Sequence, residues 1–160
     1  MHMTRNDLPE TIRSRIADLL NARLADAIDL QSQMKQAHWN VKGPNFIALH
    51  ELFDKINESV EDYVDDLAER LVALGGVAVG TVRQVAERSQ QKEYPLTITS
   101  GREHVEAVAS ALATFGKATR AAIDASDELR DRDTADLFTE ISRGVDKWLW
   151  FVEAQLQAEK

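Results

Sequence analysis

His38 and His50 lie six residues before and six residues after Pro44, so a helical hairpin turning at Gly43-Pro44 would bring the two imidazoles level on neighbouring helices. Imidazoles at one height can share a metal ion; the alternative is a pair of unrelated polar residues near a helix end. The segment after His50 adds carboxylates. At about 100° per residue and with His50 as zero, Asp54 falls near 40°, Glu58 near 80°, Glu61 near 20°, Asp65 near 60° and Glu69 near 100°. The apolar residues Phe46, Leu49, Phe53, Ile56, Val60, Val64, Leu67, Leu71 and Leu74 fall between about 240° and 320° on the same wheel. The acidic stripe therefore points away from the core. Solvated faces normally mix in Lys or Arg at i,i+4 spacing. This stripe carries none, and uncompensated carboxylates want a cation or a partner.

Distance decides how these groups could cooperate. The fifteen residues from His50 to Asp65 span about 22 Å of helix, too far to share a metal within one chain. If two copies of this helix pack antiparallel about a two-fold axis near Ser59 or Val60, His50 and Asp54 of one face Glu69 and Asp65 of the other. Such an isologous pair builds two equivalent sites, each with two imidazoles and up to three carboxylates, a ligand set that suits iron. Carboxylate di-iron bundles that keep the site inside one subunit use Glu-x-x-His motifs. That arrangement is excluded here, because Lys35, Ile47 and Gly101 stand three residues before His38, His50 and His104. His104 itself is read as a surface histidine.

The elements that must hold these residues follow from apolar periodicity, which is helical throughout and almost never alternating. One stripe runs from Ile12 to Met34, entered through Asn6 or Asp7 as a cap with Pro9 in the first turn. The second runs from Phe46 to Leu74 and stops at Gly75-Gly76. Ser100 with Glu103 reads as a capping box opening a third stripe, Val105 to Ile123; Asp133 opens a fourth, Leu137 to Leu156. Short turns after the first and third stripes and a long link from Val77 to Thr99, with room for a short helix over Val82–Gln90, predict an all-α, ferritin-like four-helix bundle with one crossover. A bundle with no chemistry is the bland alternative.

The chain has 160 residues, 44% of them hydrophobic and 29% charged, which fits one domain, 1–160, with a short tail at 1–7. The absence of cysteine removes disulfides, thiolate metal clusters and thiol nucleophiles, so a metal would be held by imidazole and carboxylate. No apolar run reaches membrane-span length, and no secretory pattern opens the chain; a cytoplasmic location is expected, beside the nucleoid if DNA is bound. The net charge of -8 favours cations over polyphosphates.

The stretches Lys35-Gln36-Ala37-His38-Trp39-Asn40, Gly43-Pro44-Asn45-Phe46-Ile47-Ala48-Leu49-His50-Glu51, Asp65-Asp66-Leu67-Ala68-Glu69-Arg70 and Asp146-Lys147-Trp148-Leu149-Trp150-Phe151 resemble the Dps family of mini-ferritins. The likeness covers nearly the whole chain from about Asn6 onward. It implies a hollow dodecamer whose ferroxidase centres lie at two-fold interfaces, with His38, His50 and Asp54 from one subunit, Asp65 and Glu69 from its mate, and iron, two ions per site, as substrate. It also implies oxidation of Fe(II), preferably by hydrogen peroxide, and storage of a ferric mineral that protects against oxidative damage. Trp39 takes a redox role by family position or, more simply, anchors the interface. Trp148, Trp150 and Phe151 are read as packing or interface residues. The acidic turn with Asp127, Asp131 and Asp136 falls where the family places its three-fold iron pores, helix capping being the plainer reading. DNA binding, the family's second activity, is doubtful: only Arg5 is basic before the first helix, the end from Glu153 to Lys160 offers one Lys, and twelve chains at -8 carry about -96 formally. A DNA-coating nucleoid protein with secondary iron chemistry is the alternative reading.

Overall fold

The computed structural model describes residues 1–157; Lys160, the one Lys of the C-terminal end, lies outside the described residues. Five helices occur in the order α1 (Glu10–Asn40), α2 (Phe46–Ala73), α3 (Val82–Arg88), α4 (Gly101–Glu128) and α5 (Arg132–Glu153). The predicted four stripes become α1, α2, α4 and α5, and the short helix expected in the crossover is α3. Each long helix closes on its hairpin partner, α1 on α2 and α4 on α5, and the hairpins meet through α1 with α4 and α2 with α5. The core between them holds Ile16, Leu20, Leu24 and Met34 of α1, Phe53, Ile56 and Leu67 of α2, Leu112 and Phe115 of α4, and Phe138 and Ile141 of α5. Burial of such side chains contributes about 1.5–3 kcal/mol each before the entropy of ordering is subtracted.

Local chemistry sets the helix ends. The capping box at α4 forms as expected: the Ser100 hydroxyl accepts from the Glu103 N–H, and the Glu103 carboxylate accepts from the Ser100 N–H at 3.0 Å. At α1 the cap position is Pro9, with no side-chain cap. Asn6 instead accepts from the Leu8 N–H at 3.0 Å in a local turn, since its side chain competes for the backbone before the helix begins. α2 stops at Gly75, whose φ of +86° few other residues adopt.

The crossover is sewn to α1 by a row of polar side chains that periodicity alone did not single out. Asn21 exchanges hydrogen bonds with Val77 and Val79. Asp26 accepts from the Gln90 N–H, Asp29 from the Ser89 hydroxyl, and Gln33 donates to the Lys92 carbonyl. The link ends beside the α1–α2 turn, where the Lys42 N–H donates to the Thr99 carbonyl at 3.1 Å, and so starts α4 at the end of the bundle that carries both site histidines.

His104 departs from expectation. It is 1% exposed, with Nδ1 2.6 Å from the Tyr94 hydroxyl and Nε2 without a hydrogen-bond partner; a tyrosine supplied by the crossover, ten residues away in sequence, made this invisible to a motif search. Burial lowers the His104 pKa, with Lys42 opposing the charged form too and Glu103 partly offsetting both. The unfolded chain therefore takes up this proton more readily. His104 leaves stability unchanged above about pH 6.5 and subtracts from it as the pH falls below. The melting temperature is expected to drop between pH 7 and pH 5.5, and to drop less in a His104→Gln variant measured in the same buffers.

Candidate metal centre

The Gly43-Pro44 turn sets α1 and α2 side by side so that His38 and His50 meet. Their rings stack with centroids 3.6 Å apart and planes 21° apart. Each Nδ1 lies 2.8 Å from the backbone carbonyl oxygen of the other residue. A carbonyl only accepts, so both Nδ1 atoms carry the proton in the neutral rings, and both Nε2 lone pairs are left free for a metal. This reciprocal clasp fixes tautomer and ring orientation together, and holds the last turn of α1 against the first turns of α2.

Asp54, one turn beyond His50, brings Oδ1 to 3.8 Å from His38 Nδ1. Its oxygen also accepts from the Lys35 ammonium at 2.5 Å. That hydrogen bond, with the nearby histidines adding to it, holds the Asp54 carboxyl below the usual carboxylate range. Lys35 corrects the picture of a wholly uncompensated stripe: the missing cation arrives from the neighbouring helix. Its signal was available, because a residue three before His38 shares its helix face. The rest of the stripe behaves as expected. Glu58, Glu61, Asp65 and Glu69 are exposed and have no ion-pair partner among the described residues. Asp65 and Glu69 lie about 16 Å and 22 Å from Asp54 along α2. Among the described residues no set of three His, Asp or Glu side chains is gathered as a metal-binding group. One chain thus presents an incomplete half-site at one end of α2, the stacked His38–His50 pair with Asp54 near His38, and two carboxylates without ion pairs toward the other.

Beside this half-site two large apolar side chains are exposed, Trp39 at 67% and Ile47 at 62%. At the far end of α5, Trp150 and Trp148 both make edge contacts with Phe151, and Trp150 is exposed.

The acidic turn before α5 divides. Asp127 and Asp136 are exposed, as pore-lining groups would be. Asp131 is 2% exposed, which corrects its assignment to a pore. Its Oδ1 accepts from Arg70 at 2.8 Å and from the Thr134 N–H at 3.1 Å, and its Oδ2 accepts from the Thr134 hydroxyl at 2.6 Å. Asp131 is the N-cap of α5, the place expected for Asp133, and Arg70 ties it to the end of α2 beside Glu69. The partner that selects it lies 61 residues away, beyond the reach of local capping rules.

Comparison with known proteins gives the same architecture. The ferritin-like domain family matches residues 17–160. The DNA protection during starvation protein of Agrobacterium fabrum is 45% identical over 156 residues, covering 98% of this chain and 96% of the relative; that of Brevibacillus brevis is 34% identical, covering 92% and 98%. Among solved structures, Mycobacterium smegmatis Dps in its tetragonal form superposes with a TM-score of 0.92 at 32% identity, covering 98% of this chain and 94% of that one. The helical order and the crossover thus belong with these matches, and the chain is a member of the Dps family of ferritin-like proteins.

Proposed function

We propose that the protein is a ferroxidase and iron store that oxidises Fe(II), with hydrogen peroxide as the preferred oxidant, and holds the ferric product inside a hollow homo-dodecamer. The observation that carries this reading is the clasped His38–His50 pair beside Asp54, with Asp65 and Glu69 unpaired at the other end of the same helix. Two such helices packed antiparallel complete two sites at once, each with His38, His50 and Asp54 of one subunit and Asp65 and Glu69 of its two-fold mate. Imidazole and carboxylate suit Fe(II), and the hard oxygen donors favour Fe(III) once formed. Lys35 occupies Asp54 until iron displaces it, so the half-site keeps its charge balanced while empty.

Two Fe(II) ions side by side give one electron each to one peroxide. With two protons, both oxygens leave as water and no hydroxyl radical forms. A loosely held site open at the interface then releases Fe(III) to the mineral. Asp127 and Asp136 are the carboxylates we assign to an iron inlet, where three-fold repetition would concentrate negative potential. Trp39, exposed next to a ligand, seals the interface and is placed to intercept a stray oxidising equivalent. The formal charge of -8 per chain disfavours DNA as a partner. Among the described residues no helix is long and apolar enough to cross a membrane, and we place the protein in the cytoplasm.

Anaerobic titration of the iron-free assembly with Fe(II), then peroxide, with ferric absorbance and native mass followed together, tests this reading. Two irons consumed per peroxide on a dodecamer are expected. One iron per peroxide with trapped radicals, or an assembly without two-fold contacts, would overturn it.

A further inference from the structure

A second polar site lies between α1, the end of the crossover and α4, a cavity of about 290 Å³ lined by Arg23, Asp26, Gln91, Thr114, Lys117 and Ala118 among others. It shares no residue with the metal centre. Three buried polar atoms of its lining residues lack any partner: Arg23 Nε and both Nε2 and Oε1 of Gln91. Buried polar groups left without partners are rare in folded proteins, and several around one cavity ask for an occupant. Arg23 and Asp26 form an ion pair, with Nη2 2.8 Å from Oδ2, which leaves Arg23 Nε without a partner and Asp26 Oδ2 with a further lone pair to offer. Arg23 is 8% exposed and Asp26 1% exposed; neither can satisfy itself from bulk water. Lys117 is exposed and without an ion-pair partner among the described residues, so the lining carries two cations against one carboxylate.

The chemistry of these atoms specifies the guest. Arg23 Nε, the Gln91 amide nitrogen and the Lys117 ammonium are donors, which bind an oxyanion. Asp26 Oδ2 and Gln91 Oε1 are acceptors on the same cavity wall, and an acceptor-only anion would leave them facing its lone pairs. The guest must therefore bring an O–H of its own. Burial pushes the Asp26 carboxyl up, which marks it as an avid acceptor for such a proton. We propose that this cavity is a binding site for a protonated oxyanion of the phosphate class, the anion held by Arg23, Gln91 and Lys117 and its hydroxyl donating to Asp26. A site built to accept an O–H rejects the analogue that lacks one, because its own buried acceptor is then left unpaired.

The test uses the assembled, chelator-treated full-length protein and two probes, inorganic phosphate and sulfate, titrated calorimetrically near pH 6.5. Saturable phosphate binding at one site per chain is expected, with sulfate at least tenfold weaker. Lys117→Met and Gln91→Met should each weaken phosphate at least threefold while leaving Fe(II) oxidation and the melting temperature unchanged. Lys117 is on the surface, so its variant keeps the test open even if a buried substitution disturbs folding. Sulfate binding as tightly as phosphate, phosphate affinity unaffected by both substitutions, or a cavity filled only by ordered water in crystals grown with phosphate would overturn the proposal.

Discussion

Replacing His38 and His50 together with alanine is expected to slow Fe(II) oxidation by about 100-fold or more, since even residues that merely support a metal ligand are worth about 10–100-fold. Both free Nε2 donors go, and only Asp54, paired with Lys35, remains on that half of the site. The rings also hold each other's backbone, with two Nδ1 bonds at 2.8 Å; net hydrogen-bond contributions of about 1 kcal/mol each put the stability cost near 2 kcal/mol. The bundle should survive this, because Phe53, Ile56 and the rest of the core remain in place. Because one ring fixes the other, the single substitutions should lose nearly as much rate as the pair, a non-additive pattern. Stopped-flow ferric absorbance and thermal melting on the same samples would measure both effects. A rate within twofold of the parent protein would contradict the assignment.

The second large effect belongs to Asp131. Its substitution by alanine removes the N-cap of α5, worth about 1 kcal/mol, and strips the half-buried Arg70 of its nearer carboxylate, leaving only the exposed Asp133 at 4.0 Å. Breaking buried pairs costs about 3–5 kcal/mol; because the Arg70 side chain keeps 19% of its exposure, the lower end applies, for a total of about 4 kcal/mol. At about 2–4 °C per kcal/mol for a chain of this size, melting should fall by roughly 10 °C. Asp127→Ala and Asp136→Ala, on exposed side chains, should each stay within about 0.5 kcal/mol. If Asp131→Ala melts like Asp127→Ala, the capping role is wrong. Arg70 follows Glu69 directly, so the same tie steadies the end of α2 that carries the distal carboxylates.

The parts of this molecule that were readable in advance are those fixed by neighbours within a few residues. Heptad-scale periodicity revealed the four long helices, and Ser100 with Glu103 revealed the start of α4, because both signals act within one or two turns. The levelling of His38 and His50 needed only the position of the Gly43-Pro44 turn. What was hidden depends on partners distant in sequence. Arg70 selects Asp131 over Asp133 as a cap, Tyr94 draws His104 inside, and Asn21, Asp26, Asp29 and Gln33 stitch the crossover down. Each is a polar side chain whose role is set by what packs against it. The acidic far end of α2 was legible as a row of charges, while its use depends on a second copy of the chain.

Mixing two disabled variants probes that dependence on a second chain. His38→Ala/His50→Ala and Asp65→Asn/Glu69→Gln chains, each with a different affinity tag, would be co-expressed and the mixed assemblies assayed for Fe(II) oxidation. Random pairing makes half the two-fold contacts mixed, and in each of those one of the two sites regains every ligand, so about one quarter of the parent rate should return. Mixed assemblies no more active than either variant alone, or an Asp65→Asn/Glu69→Gln protein that oxidises iron at the parent rate, would contradict a site shared between subunits.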